Sequence, residues 1–589
     1  MAKRDTKKEM PRDARRTLRR LGGYVMLYKW RMALIVAMSF LSNYLVLLGP
    51  TLAGRAINEI APGPGKVNFP AVYHNVGLML IYYLVSFAVS LLVGVLMMHV
   101  GRRVAGRMRG DVFDKIMELP VGYFDTHQTG DLLSRVSYDI DVVSASLATD
   151  IVQALTSVVT VIGSFVMMVV ISPQLVLVMG ITIPAALLYT RYLSGKTRPL
   201  FTRRSAMYGK LNGFVEEMFS GQKTILAYAQ EDRVLGDFDG INEEASEAYY
   251  RANYHAMTAG PTATFINNVG LALISVFGSV MYIRQLVTLG QISSFVLYSR
   301  KFAGPINEMA NIANEIFSAL AAAERVFRLQ DEPEEVGDVP DAMQLSDVRG
   351  EVDIDHIDFG YNPGKPIIKG FDLHVEPGQL IAIVGPTGAG KTTIINLLMR
   401  FYDVDAGEIR VDDHEVRQLT RQSLRRAYAM VLQDTWLFGG SVFDNIAYGR
   451  EGATREEVEA AAKAARIHKY VMSLPYGYDT LVGEDGGNIS KGQKQLLTIA
   501  RAMLFDAKML ILDEATSNVD TQTERRIQKA MRQMMHDKTC FVIAHRLSTI
   551  RSADRILVLD HGNVVEVGTH GELMQKRGFY WALYASQWA

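Results

Sequence analysis

At 589 residues the chain is too long for one ordinary domain, so two or more are expected. Lysine plus arginine and aspartate plus glutamate balance at 62 each, which argues against a nucleic-acid partner. Cys540 is the only cysteine, so no intrachain disulfide forms, and its run TCFVIA reads as a core strand.

The basic N-terminus, MAKRDTKKEMPRDARRTLRR, lacks an apolar segment followed by a small-residue cleavage site, so no cleaved secretory signal is expected. The amphipathic stretch Arg15–Trp30 is expected to lie along the inner membrane interface, closing an N-terminal region of residues 1–30. Six apolar runs follow, near 31–52, 73–99, 147–170, 175–193, 261–283 and 288–312, in a transmembrane region of residues 31–330. Only ISPQ separates the third run from the fourth, which predicts a tight hairpin. Asn267, Asn268, Arg300, Lys301 and Asn307 interrupt the last two runs, as expected of helices lining a polar cavity. Arg300 and Lys301 fall about 18 Å into the sixth, and the sequence leaves their role open.

Charge predicts the orientation. Arg102, Arg103, Arg107, Arg109, Lys115 and Arg135 lie between runs two and three. Arg191, Lys196, Arg198, Arg203, Arg204, Lys210, Lys223 and Arg233 lie between runs four and five. The opposite loops hold only Arg55, Lys66 and Arg284. The positive-inside rule therefore expects a multi-pass protein of the cell membrane with both long segments and both termini in the cytoplasm. The mixed charge of those segments predicts that the membrane helices continue well beyond the bilayer.

The acidic stretch DEPEEVGDVPDAMQLSD, 331–347, reads as a linker. After it, VDIDHIDF, QLIAIVG, MLILD, CFVIA and RILVLD alternate with helical segments. They predict an α/β domain over 348–589 with a mostly parallel core sheet.

Within that domain Gly385, Pro386, Thr387, Gly388, Ala389, Gly390, Lys391, Thr392 and Thr393 form G-x-x-x-x-G-K-[ST] between an apolar strand and a helix. This is the P-loop arrangement: glycines let backbone amides close around phosphates at a helix N-terminus. Lys391 is expected to reach the β- and γ-phosphates of ATP, and Thr392 to ligate Mg²⁺. The strand MLILD ends in Asp513 and Glu514. Asp513 suits Mg²⁺, and Glu514 is placed to polarise an attacking water.

With these motifs in order, the chain resembles a half-transporter of the ABC exporter superfamily along nearly its whole length. The resemblance implies a membrane α-helical bundle of six helices fused to a cytoplasmic P-loop NTPase domain. It assigns Tyr361 to stacking on adenine, Gln433 to the loop that meets Mg²⁺ and takes part in catalysis, and His545 to the γ-phosphate. Ser490, Lys491, Gly492 and Gln493 resemble the signature, which completes the partner chain's ATP site, with Gly483 and Glu484 just before it. Ser517, Asn518, Val519 and Asp520 resemble the D-loop. YFDTHQTGDLLSRVSYDID and VEEMFSGQKTILAYAQED resemble the two cytoplasmic coupling segments.

Lys491 stands at the first signature glycine position, where its side chain restricts φ and crowds a close backbone approach. A complete hydrolytic set beside a departed signature resembles the catalytic-glutamate half of heterodimeric bacterial multidrug exporters. That resemblance implies a second half-transporter as partner, the lipid bilayer around both, and small amphipathic substrates. A homodimer that tolerates Lys491, a dedicated lipid or peptide exporter, and an ATP-binding regulatory half stand as rival readings.

Overall fold

The computed structural model describes residues 13–587 other than Pro363, Asp434, 484–488, 514–519 and His545. The chain forms two compact units, Met1–Met117 with Thr129–Glu332, and Glu118–Gln128 with Pro333–Ala589. The short segment Glu118–Gln128, which overlaps the start of the first coupling segment, therefore belongs to the second unit.

The helices up to residue 330, in chain order, are α1 (Ala14–Met26), α2 (Lys29–Ile60), α3 (Phe69–Met117), α4 (Val121–Thr126), α5 (Thr129–Ser134) and α6 (Ile140–Ala148). They continue with α7 (Asp150–Ile171), α8 (Pro173–Ser220), α9 (Gln222–Ala227), α10 (Glu231–Met257), α11 (Ala259–Ile283) and α12 (Leu289–Gln330). Among the described residues, four helical stretches are long and apolar enough to cross a membrane: Lys29–Ile60, Phe69–Met117, Thr129–Ile171 and Glu231–Ile283. They hold the first, second, third and fifth expected runs, while the fourth and sixth lie in α8 and α12. α3 and α8, at 49 and 48 residues, are each about 70 Å long, more than twice a bilayer's hydrocarbon thickness. The extension expected from their mixed charge is present.

Local chemistry explains the joints. Ser172 alone turns the chain between α7 and α8: its backbone is extended, its hydroxyl accepts from Leu175 N, and Pro173 opens α8. Helix α1 ends at Met26, so Trp30 belongs to α2, and the amphipathic stretch is shorter than expected. Its polar face is engaged by side-chain pairing. Arg16 and Arg20 bind Asp331, Arg20 lies over the Phe327 ring, and Tyr24 donates to Asp111 on α3. Close packing joins α2 to α12, where a Cβ on Gly290 would lie 1.9 Å from the Gly54 carbonyl. The buried Asp139 carboxylate, ending the π-helical turn Arg135–Asp139, accepts two bonds from Arg325 of α12.

The second unit holds β1 (Val352–Phe359), β2 (Ile368–Val375), β3 (Leu380–Val384), β4 (Ala406–Val411), β5 (His414–Glu415) and β6 (Tyr428–Val431). It continues with β7 (Gly440–Ser441), β8 (Leu481–Val482), β9 (Met509–Asp513), β10 (Thr539–Ile543), β11 (Arg555–Asp560) and β12 (Asn563–Gly568). The core sheet runs β12-β11-β3-β10-β9-β6, parallel from β11 to β6. The inner parallel strands β3, β10 and β9 are apolar because both faces are covered: Ala382, Val384, Leu510 and Leu512 pack on one side, Ile381, Ile383, Met509 and Ile511 on the other. Cys540 is fully buried here, and burial pushes its thiol up to about 12. The run VDIDHIDF does not join this sheet. As β1 it pairs antiparallel with β2 and β4 in a separate sheet, and its half-buried alternation fits that position.

The stretch read as a linker is pinned to this unit from Pro333 onward. Glu335 accepts from Arg425, and Asp338 from the backbone and guanidinium of Arg421. Arg400, 4% exposed, sits just past the helix Lys391–Leu398. It donates to Asp403 at 2.9 Å and to the carbonyls of Val416 and Leu419 at 2.9 and 3.1 Å. Arg400→Ala strands the buried Leu419 carbonyl, leaves the Val416 carbonyl only the long bond from Leu419 N at 3.4 Å, and should cost about 2–4 kcal/mol of stability. Arg400→Lys keeps the charge without the planar fork and should lose most of the same amount. Thermal unfolding of the detergent-solubilised protein measures both; a lysine variant that melts like wild type would refute this account of the cluster.

Candidate functional site

The site begins where β3 ends. Backbone packing demands glycine at Gly385, where a Cβ would lie 2.3 Å from the Leu559 carbonyl of the neighbouring strand. The chain then wraps back to Gly390, which takes a left-handed φ of 99° as the cap before the helix Lys391–Leu398. Lys391 reaches across the loop and donates to the carbonyls of Gly385 at 2.8 Å and Pro386 at 3.0 Å. Burial holds its ammonium below the usual lysine range, and the Asp513 carboxylate pulls it back up. Thr387, Gly388 and Thr392 are exposed on the rim, while Ala389, Gly390 and Thr393 are buried. A glycine-rich loop, a helix N-terminus and one half-buried ammonium stand together, the groups that a phosphate-type anion requires.

Parallel pairing brings the other groups to the same edge. Ile543 of β10 stands level with both Ile383 of β3 and Asp513 of β9, and Val431 of β6 pairs with Leu512. Asp513 therefore ends β9 at the height where β3 opens into the loop. Gln433, exposed, follows two residues after β6 on the same side. Thr392 hydroxyl, Asp513 carboxylate and Gln433 amide offer oxygen donors only, a set that fits a small hard cation such as Mg²⁺.

Tyr361 stands beside the loop, 40% exposed and edge-on to Phe359 and Tyr402. Asn396 donates to its hydroxyl at 3.0 Å, fixing a ring free to stack on a flat ligand. Sequence reasoning missed Asn396 and Tyr402, since neither carries a motif of its own. Tyr402 donates to Asp125 of α4 at 2.5 Å, and a Cβ on Gly122 would touch its ring at 3.0 Å. The coupling segment is thus packed against the residues that frame the loop.

The signature opens the helix Lys491–Phe505 through a capping box. Ser490 Oγ accepts from Gln493 N, and Gln493 Oε1 accepts from Ser490 N at 3.1 Å. The hydroxyl proton of Ser490 stays available, and the amides of Lys491 and Gly492 have no intrahelical acceptor. Lys491 is the first helical residue, exposed, with ordinary helical backbone. Its φ restriction, expected from sequence, therefore has no effect here; crowding and charge remain. Asp520 caps the helix Thr521–Met535, and its bond from Thr523 N lowers its carboxyl below the usual range. Glu514, His545, Ser517, Asn518, Val519 and Glu484 lie outside the described residues.

Known proteins share this arrangement. The chain matches the family models for the ABC transporter transmembrane region over residues 32–306 and for the ABC transporter over residues 368–517. It is 44% identical over 525 residues to a Mycobacterium bovis protein named fatty acid ABC transporter ATP-binding/permease protein, covering 89% of this chain and 83% of that one. It is 34% identical over 509 residues to the ATP-dependent lipid A-core flippase of Syntrophus aciditrophicus, covering 86% and 84%. A solved bacterial Atm1-family ABC exporter with ATP bound superposes with a TM-score of 0.76 at 29% identity, covering 95% of this chain and 98% of that chain. The chain belongs to the ABC transporter superfamily, as an exporter-type half-transporter with a membrane domain fused to a domain that binds and hydrolyses ATP and works as a dimer.

Proposed function

We propose that this half-transporter exports amphipathic compounds of the multidrug type, paired with a different half-transporter that completes each ATP site. The observation that carries the reading is the convergence of Lys391, Asp513 and Gln433 at one sheet edge in a chain fused to membrane helices. Lys391 and backbone amides of the loop Gly388–Thr393 hold the β- and γ-phosphates, and Tyr361 stacks on adenine. Thr392, Asp513 and Gln433 hold Mg²⁺, which neutralises phosphate charge when bound. Glu514 orients and polarises the attacking water, and His545 contacts the γ-phosphate side. Ser490, Gly492, Gln493 and Asp520 serve the partner's nucleotide. The membrane domain has six crossings in the bacterial cell membrane, with both termini and the nucleotide domain in the cytoplasm.

Lys491 supports the asymmetric pair. The Ser490 cap leaves the signature amides pointing outward, and the exposed lysine crowds the approach of a second chain's phosphates. A second reading, a homodimeric exporter of acyl-chain lipids, is favoured by the names of two relatives, a fatty acid transporter and a lipid A-core flippase.

Glu514→Gln should leave ATP affinity within about threefold and lower turnover at least 100-fold, because the carboxylate acts on water, not on phosphate cradling. Filter binding and steady-state ATPase assays measure the two effects, and wild-type turnover would remove Glu514 from the mechanism. Lys491→Gly should leave the ATPase rate of the heterodimer unchanged or raise it, since it alters only the slow site. Strong transport by the purified single chain, lost on this substitution, would favour the homodimer. Cysteines introduced at Val67 and Gln174 should label from outside intact cells, and those at Gln128 and Gln222 should not; external labelling at 128 would overturn the orientation.

A further inference from the structure

A cavity of about 370 Å³ lies among the middles of α2 and α3 and the first two turns of α7, within the size range of about 300–1,000 Å³ typical of small-ligand sites. Its polar wall comprises Ser39, Ser42 and Asn43 of α2, Ser86 and Ser90 of α3, and Thr156 of α7. Val46, Phe87, Val93 and Val152 supply the apolar wall. Among the described residues, none of those lining it is charged. All of these positions fall inside the apolar runs, where water is scarce and a polar lining is conspicuous.

Part of the wall holds the helices together. The Ser42 and Ser86 hydroxyls lie 2.8 Å apart, and each also faces the other's carbonyl, at 3.1 and 3.0 Å. Asn43 donates firmly to the Ser39 carbonyl at 2.8 Å, but its links to Thr156 and Thr160 are long, at 3.5 and 3.3 Å. Ser39 differs from the rest. Its side chain is 4% exposed, and its Oγ has no hydrogen-bond partner. A buried hydroxyl without a partner is a standing cost that a ligand able to hydrogen bond would remove.

We propose that this cavity binds the uncharged, hydrogen-bonding head of an amphipathic molecule, of the hydroxyl-and-ester kind carried by a monoacylglycerol. Serine, threonine and asparagine side chains both donate and accept, as such a head requires. A carboxylate or phosphate would enter without a counter-charge and leave its own charge uncompensated. The acyl chain would leave over Phe87, which is exposed. This site rests on the reading of amphipathic substrates and names the chemistry of one.

The test uses the full-length transporter, assembled with its partner, in phosphatidylcholine nanodiscs. A monoacylglycerol carrying a diazirine near its head is photolysed, and adducts are located by mass spectrometry. Adducts should map to residues 39–46 and 83–93, and monooleoylglycerol should compete at least tenfold better than oleate. Ser39→Phe should abolish labelling, and Ser39→Ala should raise the half-saturating concentration about fivefold, the effect of one modest hydrogen bond. Thr156→Val, which keeps the shape, should weaken labelling similarly, and ATPase activity without added amphiphile should stay within twofold in all three. Adducts elsewhere, labelling indifferent to Ser39, or equal competition by oleate would overturn the proposal. So would equal Ser39-dependent labelling by a diazirine phosphatidylcholine, which would assign the cavity to a bilayer lipid. Labelling needs no turnover, so its failure refutes the cavity, whereas intact labelling without ATP-driven transport refutes the export reading.

Discussion

Both faces of the parallel strands β11, β3, β10, β9 and β6 are buried, so polar chemistry can emerge only where the strands end. Every strand-borne group of the candidate site described above obeys that constraint. Parallel pairing levels the carboxyl ends, so the loop after β3, Asp513 and Gln433 arrive at one height. The loop leaves β3 through the close Gly385–Leu559 approach, against the backbone of β11. Because backbone bears on backbone there, no side-chain rearrangement would make room for a Cβ.

The same edge is tied to the coupling segment. Tyr402 touches Tyr361 on one side and Asp125 of α4 on the other, so one aromatic cluster spans from the adenine-stacking candidate to the segment from the membrane half. The Asp125 carboxylate and burial both push the Tyr402 phenol above its ordinary value, which keeps it protonated as the donor in this bond at any physiological pH. A neutral donor to a carboxylate gives a short, directional link, suited to carrying displacement of the loop into α4.

Motifs and apolar runs were legible in the sequence because each is local. The P-loop needs nine consecutive residues, and a membrane helix needs one unbroken run of about 20. The turn at Ser172 followed from the brevity of ISPQ and its proline. What escaped depends on pairing between distant segments. The alternation in VDIDHIDF, beside the unbroken apolar runs LIAIV and MLILD, already marks a half-buried antiparallel strand, but which segments it pairs with is not written in it. The partners of α1 also escaped, since Arg20 and Tyr24 bind side chains some 90 to 310 positions away. The hub at Arg400 joins the linker, two carbonyls and Asp403, none of which carries a signature in sequence. Asp520, read from its motif as a nucleotide contact, is engaged as a helix cap, a role that its position before TQTE also permits.

Lys491 remains the most informative departure, and its position changes how it acts. A cation at the first residue of a helix opposes the helix dipole, and this helix has no acidic residue in its first turn to offset it. The start of the helix Lys491–Phe505 therefore combines first-turn amides, a serine hydroxyl and an exposed lysine, with no acidic residue to offset them. Such a surface attracts anions more strongly than the glycine it replaces, while its bulk keeps the backbone from closing to hydrogen-bond distance. On the asymmetric reading these two effects separate holding from hydrolysis. The site that borrows this signature would retain its nucleotide by charge yet fail to bring the amides onto the transferring phosphate, where stabilisation of developing charge requires close contact. A tight but slow site follows from one side chain, with no change to the capping box or to the helix behind it.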